Sequence, residues 1–197
     1  SVDYKKIGLE DYGKPGNYVA RQVSRWSKQY RASETDDIEA MNNLIEWLPK
    51  NIPDDDETSI VHGDYRLDNM ILKKNNVMGI LDWELSTLGH PIADFSYHCL
   101  SWRTQEAFWD QARLKELGVP SEKEYMNMYC ENTGKDLSKN WEFYMAFNMF
   151  KIAGILQGIL GRVRDGTAAS KHAEDRGMMV YPLSEAAWST IEKNFLK

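Results

Sequence analysis

Hydrophobic residues near the start of the chain recur at helical spacing. Val19, Val23, Trp26 and Tyr30 fall on one stripe, which predicts a helix beginning near Asn17, after an irregular lead-in over 1–16 broken by Gly8, Gly13, Pro15 and Gly16. Ile38, Met41, Ile45 and Leu48 share a second face, predicting a helix over 36–48 that Pro49 stops. The acidic run Asp54-Asp55-Asp56, inside 53–57, reads as a solvated polar loop rather than a metal site. The period then changes. Segments 58–61, 70–73 and 77–81 are short and β-rich, with Asn75-Asn76 as a turn signal between the last two. From Pro91 onward the helical period returns, over 91–102, 105–117, 121–133, 138–164 and 183–195, while 165–180 reads as a polar loop. Ser121 and Glu124 fit a capping box, and Gly118 and Gly134 stand where left-handed residues close helices. The predicted fold class is α+β, mainly α, with one domain over 1–197 and a small β insert.

Composition narrows the class. At 197 residues, 42% hydrophobic and 27% charged, the chain can bury a proper core, so a disordered polypeptide is not expected. No run approaches the roughly 20 apolar residues that span a bilayer, and no signal peptide is visible, so no membrane partner is expected. Cys99 and Cys130 lack metal-ligand spacing and suit a reducing compartment. The cytoplasm is the expected location, with mitochondria or peroxisomes as the alternative for a eukaryotic source. A net charge of −6 argues against nucleic acid as a partner, because a polyanion needs a basic face.

The chemistry concentrates in 59–95. His62-Gly63-Asp64 ends one strand and Asn69 begins the next, giving His-x-Asp-x4-Asn. A loop of this length can hold one carboxylate beside an incoming hydroxyl and set an amide oxygen, five residues on, against a metal ion. Protein kinases use the same spacing, with the Asp accepting the substrate proton and the Asn binding magnesium. Asp82 closes the next strand, which a tight hairpin returns beside Asn69. Two oxygen ligands for magnesium plus a positioned base are much of what phosphoryl transfer asks of such a lobe. Taken singly, Asp64 reads as a turn cap, His62 as a structural histidine that orients the loop, and Asp82 as a strand-end residue. Their conjunction in order gives the functional reading: Asp64 and His62 as the catalytic pair, Asn69 and Asp82 as metal ligands.

Other residues are less specific. Asp94, following Pro91, is expected to accept hydrogen bonds from catalytic-loop amides. His90, Asp94 and His98 are not read as a zinc site, because His90 precedes Pro91 and falls outside the helix. Arg66 and Asp68 either touch phosphates, which would make Arg66 a nucleotide-binding residue, or pair with each other. Trp83 is expected to pack, and Glu84 either packs or extends the metal site. Gly154, Gly158 and Gly161 mark a close helix contact or a face that admits substrate. Arg103, Arg162 and Arg164 either neutralise an anionic acceptor or are simply solvated.

The run Ile60-Val61-His62-Gly63-Asp64-Tyr65-Arg66-Leu67-Asp68-Asn69, followed by the string from Leu81-Asp82-Trp83-Glu84-Leu85-Ser86-Thr87-Leu88-Gly89-His90 to Pro91-Ile92-Ala93-Asp94, resembles a particular branch of the aminoglycoside phosphotransferase and choline kinase superfamily. That branch is the phosphotransferase domain associated with, and sometimes fused to, acyl-CoA dehydrogenases. The resemblance extends to 21–30 and 155–162. It implies a two-lobed, ATP- and magnesium-dependent kinase acting on a small-molecule hydroxyl, a hydroxylated acyl-CoA in the fused animal members, with an acyl-CoA dehydrogenase domain or protein as partner. The chain lacks a G-x-G-x-x-G loop, a V-A-I-K-type Lys strand and room for a five-stranded lobe before residue 17. The expectation is therefore a kinase-like C-terminal lobe without its ATP-gripping lobe. A pseudokinase or binding module and a metal-dependent hydrolase are the rival readings.

Overall fold

The computed structural model describes residues 2–104 and 111–196, which fall into two compact units. One comprises the chain up to Tyr18 with Asp55–Trp141, and the other comprises Val19–Asp54 with the chain from Glu142 onward.

The second unit is helical. Helix α1 (Tyr18–Ser33) buries Val19, Val23, Trp26 and Tyr30, the stripe expected from spacing. Helix α2 (Glu39–Trp47) buries Ala40, Met41 and Leu44, and is shorter than expected. Pro49 does not end it abruptly: Leu48–Lys50 continue as a 3-10 turn, which tolerates a proline near its start. Helix α7 (Trp141–Arg164) starts three residues later than expected, and from Phe143 through Phe147 every residue is buried. Contrary to the expectation from the sequence, α7 is long and apolar enough to cross a membrane. Yet 72% of that stretch is buried within the protein, as in a core helix. Its glycines do face a neighbour. A Cβ at Gly161 would lie 3.0 Å from Ser33 Cβ, so α1 approaches so closely that a side chain there would push it back by a few tenths of an ångström. Beside this contact, Gln157 Nε2 donates to the Ser33 carbonyl at 2.7 Å and to Thr35 Oγ1 at 3.0 Å.

The expected loop over 165–180 is in part a helix, α8 (Ala173–Met178), which buries Ala173 and Gly177. Gly177 lies against Leu160, and this packing stabilises a segment whose own sequence reads as polar. Helix α9 (Val180–Phe195) begins three residues earlier than expected and buries Val180, Leu183, Ala187 and Ile191. The Trp47 ring packs 6.2 Å from that of Phe143 and 5.2 Å from that of Phe195.

The first unit carries the strands. β1 (Ser59–Val61) pairs antiparallel with β4 (Thr87–Gly89), matching Ser59 to Gly89 and Val61 to Thr87. β2 (Met70–Lys73) and β3 (Asn76–Ile80) form the expected hairpin, matching Met70 to Ile80. Strand β4 was not expected, because three residues carry no readable alternation and only pairing with β1 defines them. The helix expected over 91–102 is two, α3 (Pro91–Cys99) and α4 (Ser101–Thr104), separated at the buried Leu100. Of the helix expected over 105–117, residues 105–110 lie outside the described residues, and α5 (Gln111–Glu116) follows. Helix α6 (Glu122–Thr133) has the predicted capping box: Ser121 Oγ accepts from the Glu124 amide, and the Ser121 amide donates back to Glu124 Oε2 at 2.8 Å. Gly118 and Gly134 have φ of 75° and 70°, the left-handed values expected.

The acidic run is not merely solvated. Asp55 accepts from Asn140 Nδ2 at 3.1 Å, Asp56 accepts from the Asn17 amide at 2.8 Å, and Glu57 pairs with Lys135. Three carboxylates thus tie the segment entering β1 to other parts of its own unit.

Candidate active site

β1 delivers His62 into the interior, where only 4% of its surface is exposed. The amides of His62 and Gly63 donate to the two carboxylate oxygens of Asp94, each at 2.8 Å. Asp94 lies in the first turn of α3, where the helix dipole favours a carboxylate, so one side chain fixes two successive amides. Gly63 then turns with φ 84°, and a Cβ there would lie 2.6 Å from the Leu85 carbonyl oxygen. No residue with a side chain fits that turn without moving the loop beyond Asp82.

The His62 ring joins the same two loops. Its Nε2 lies 2.9 Å from the Leu81 carbonyl, and its Nδ1 accepts from the Asp64 amide at 3.3 Å. Together these bonds fit the tautomer with the hydrogen on Nε2. The Trp83 indole packs 4.8 Å from the imidazole and donates to the Ile80 carbonyl at 2.9 Å. Ser86 Oγ donates to the Val61 carbonyl at 2.8 Å, closing the arrangement. His62 therefore sits where it positions the Asp64 loop against the Asp82 loop.

Both oxygens of Asp64 are held. The Tyr97 hydroxyl donates to Oδ1 at 2.7 Å, and Asn69 Nδ2 donates to Oδ2 at 3.1 Å and to the Asp64 carbonyl at 2.9 Å. A 3-10 turn over Leu67–Asn69 brings the amide back beneath the carboxylate, which is what the five-residue separation allows. Each carboxylate oxygen retains acceptor capacity for a further proton. Burial, with the hydrogen bond to Asp64 and its charge, pushes the Tyr97 hydroxyl well above the usual phenol range, so it stays a donor.

Asn69 spends its amide nitrogen on Asp64, which leaves its side-chain oxygen for a ligand. The Leu81 amide donates to the Asn69 carbonyl at 2.8 Å and extends the β2–β3 pairing, bringing Asp82 next to Asn69. Asp82 adopts φ 63° and ψ 58°, a left-handed conformation uncommon for a residue with a side chain. Its carboxylate is exposed, with no hydrogen bond or ion pair among the described residues. One neutral and one anionic oxygen donor, adjacent and uncommitted, fit a magnesium ion that keeps water in its shell.

Of the remaining candidates, Arg66 stays beside this centre, its side chain facing the Tyr97 hydroxyl and within range of the Asp64 charge. Arg66 pairs with Asp68, its Nε donating to Asp68 Oδ2 at 2.9 Å, and that bond raises the pKa of the guanidinium. Both side chains are exposed. His90 caps α3 from outside, 2.6 Å from the Asp55 carbonyl, while His98 Nδ1 lies 3.2 Å from the Tyr65 carbonyl. His90 thus serves the segment entering β1, while Asp94 and His98 both hold the loop that carries Asp64. Arg103 is engaged by Glu122 at 2.6 Å, and Arg164 by Asp165 at 2.9 Å. Tyr97 was missed in the sequence, although a signal existed: it follows Asp94 by three positions on one helix, so a face that turns Asp94 toward the loop turns Tyr97 there too.

The profile of the phosphotransferase enzyme family matches residues 1–128. Mouse acyl-CoA dehydrogenase family member 10 is 44% identical over 98% of the chain, and human acyl-CoA dehydrogenase family member 11 is 39% identical over 99% of it. The chain spans only 19% and 26% of those two proteins. A Ralstonia eutropha crystal structure, provisionally named an aminoglycoside phosphotransferase, superposes with a TM-score of 0.91 at 52% identity, covering 98% of this chain and 60% of its own.

Proposed function

The chain belongs to the phosphotransferase enzyme family and has a kinase-like α+β fold, and from that premise we propose that it moves the γ-phosphoryl group of ATP to the hydroxyl of a small molecule. The observation that carries the reading is the Asp64 carboxylate, oriented by Tyr97 and Asn69 and set beside a loop that presents Asp82. Asp64 takes the acceptor's hydroxyl proton as the new oxygen–phosphorus bond forms, and the bond between phosphorus and the bridging oxygen breaks to release ADP. His62 and Asp94 keep the loop in register during this step. Asn69 and Asp82 would hold magnesium. When bound, that ion neutralises charge on the phosphate oxygens. Asn69 and Asp82 supply two oxygen donors, and phosphate oxygens and water would complete the shell of such an ion.

The acceptor class favoured here is a hydroxylated acyl-CoA, because the relatives are acyl-CoA dehydrogenase family members. An acyl-CoA dehydrogenase domain is accordingly the favoured partner. We read residues 1–197 as the C-terminal lobe of the kinase, with the strands that grip the triphosphate supplied by sequence beyond it. Exposed Leu67, Ile71, Leu72, Val77, Met78 and Leu81, on or next to the β2–β3 hairpin, support that reading, since so contiguous an apolar stretch suits a covered surface.

The test is an acceptor screen on the longest native protein containing this chain, following ADP release with hydroxyacyl-CoA esters, amino alcohols and aminoglycosides. Acceptor-dependent ADP formation, lost in Asp64→Asn, is the expected result. Phosphate release that needs no acceptor would replace the kinase reading with a hydrolase, and nucleotide binding without turnover would replace it with a pseudokinase.

A further inference from the structure

The residues that follow Asp64 and its partner Tyr97 in sequence meet in space. Tyr65, on the loop after β1, sets its ring 5.1 Å from that of His98 on α3, and the His98 ring lies 5.6 Å from that of Tyr125 on α6. The ring planes are tilted by 55° and 51°, so they share no plane, and they come from three different elements of one unit. Trp102 stacks against Tyr125 at 5.1 Å and is fixed by donating to the Pro120 carbonyl at 2.9 Å.

This aromatic wall holds polar atoms that the fold does not use. Tyr65, His98 and Tyr125 are all half-buried. His98 Nδ1, 3.2 Å from the Tyr65 carbonyl, carries the proton of the neutral ring, which burial favours, so Nε2 is an acceptor. Burial pushes the Tyr125 hydroxyl up to about 12, with Cys99 and Tyr65 adding to the shift, so it stays a donor and stands within electrostatic range of Tyr65. Among the described residues, neither phenol hydroxyl nor His98 Nε2 has a hydrogen-bond partner, which leaves them to water or a ligand.

The charges nearby select the ligand. Asp94, one turn before His98, is engaged by the His62 and Gly63 amides, and Glu122, one turn before Tyr125, by Arg103 and the Trp141 indole. Asp64 is taken by the reacting hydroxyl. The Arg66 guanidinium, facing the Tyr97 hydroxyl and within range of Asp64, repels a second cation. An ammonium here would find no free carboxylate on these turns, and attraction to ring faces is weak at a site open to water. An apolar chain finds three rings, and a carbonyl finds two phenol donors. We infer that Tyr65, His98 and Tyr125 form the acceptor subsite beside Asp64, and that it takes a neutral hydroxyacyl group whose chain lies on the rings and whose carbonyl accepts from the two phenols. His98 Nε2 accepts from a neutral N–H or O–H of the same molecule. The inference rests on the kinase reading and names the residues that choose its acceptor.

The probes are the N-acetylcysteamine thioester of a medium-chain hydroxy acid, which is neutral, and an amino alcohol of similar length. Each is titrated into the protein by calorimetry, without ATP. The thioester should bind saturably and about tenfold or more tighter than the amino alcohol. Tyr65→Phe/Tyr125→Phe keeps both rings and removes both donors, so it should weaken thioester binding roughly tenfold and leave the amino alcohol unchanged. Tyr12→Phe, which removes an exposed phenol hydroxyl in the same unit, should change neither. Near-ultraviolet circular dichroism checks that each variant keeps its packing. Tighter binding of the amino alcohol, no saturable binding of the thioester, or equal thioester affinity in the double variant overturns the subsite. Steady-state rates on the longest native protein containing this chain separate that failure from failure of the kinase reading. ADP formation with another hydroxyl acceptor, at a KM the double variant does not move, keeps that reading and removes the subsite. Selective thioester binding without ADP formation keeps the subsite and removes the reading.

Discussion

The Tyr97 hydroxyl donates to Asp64 Oδ1 at 2.7 Å across 33 positions of sequence. With Asn69 it holds the carboxylate proposed to receive the acceptor's proton, and it comes from the helix whose Asp94 already pins the loop. Tyr97→Phe keeps the ring and removes the hydroxyl, which also faces Arg66, while Asn69 still holds the other Asp64 oxygen. In a protein with measurable transferase activity, kcat should fall about tenfold, which matches the loss of one charge-assisted hydrogen bond. Asp64→Asn should cost more, about 10²–10⁴-fold, because it removes the base itself. Steady-state rates for the two variants decide the matter. Equal losses would make Tyr97 part of the base, and no loss in Tyr97→Phe would remove it from the site.

Asp82→Ala and Asn69→Ala should both raise the magnesium concentration needed for nucleotide binding, Asp82→Ala more strongly because its ligand is anionic. The two should differ in turnover. Asn69→Ala also frees Asp64 Oδ2 and its carbonyl, so its kcat should stay depressed at saturating magnesium, whereas Asp82→Ala should recover in part. Calorimetric titration of ATP at stepped magnesium concentrations, paired with rates, separates these effects. Unchanged metal dependence in both would dismiss them as ligands.

Gly63→Ala should destabilise by about 2–5 kcal/mol, combining about 1–2 kcal/mol for a left-handed residue with a Cβ and about 1–3 kcal/mol for overpacking against the Leu85 carbonyl. Gly118→Ala is the comparison, with φ 75° and open space around it, and should cost only the backbone part. Urea midpoints of the two variants, measured with unchanged slopes, give the difference. Equal losses would mean that the Asp64 and Asp82 loops are not in the close contact described.

His98 carries a pH dependence of stability. Burial lowers its pKa below the usual 6.5, only partly offset by the Tyr65 carbonyl and the Asp94 charge. A histidine depressed in the folded state binds its proton more readily when unfolded, so its neutral form contributes stability above the unfolded pKa that is lost as pH falls through the folded value. The melting temperature should therefore decline as pH falls below the usual 6.5, and the decline should be shallower in His98→Gln. Parallel curves for the two proteins would place the pH sensitivity elsewhere.

Much of this molecule was readable from local pattern. The α1 stripe, the Ser121–Glu124 capping box, the β2–β3 hairpin and the order His62, Asp64, Asn69, Asp82 depend on residues close in sequence, where spacing alone fixes which side chains share a face or a turn. Even the role of Asp94 followed from its place in a first helical turn.

Other features waited for the chain to fold. β4 exists because β1 supplies its hydrogen bonds. α8 exists because Ala173 and Gly177 are buried, Gly177 against Leu160. The acidic run beginning at Asp54 holds partners as distant as Asn140, and Tyr97 reaches Asp64. Arg66 and Asp68 stood open in the sequence, and geometry paired them. Local sequence placed His62, Asp64, Asn69 and Asp82 in order on a strand, a loop and a hairpin. Tertiary structure decided which oxygens are held and which remain free, because a hydrogen bond is selected by distance and angle in space, and its two ends can be any number of residues apart.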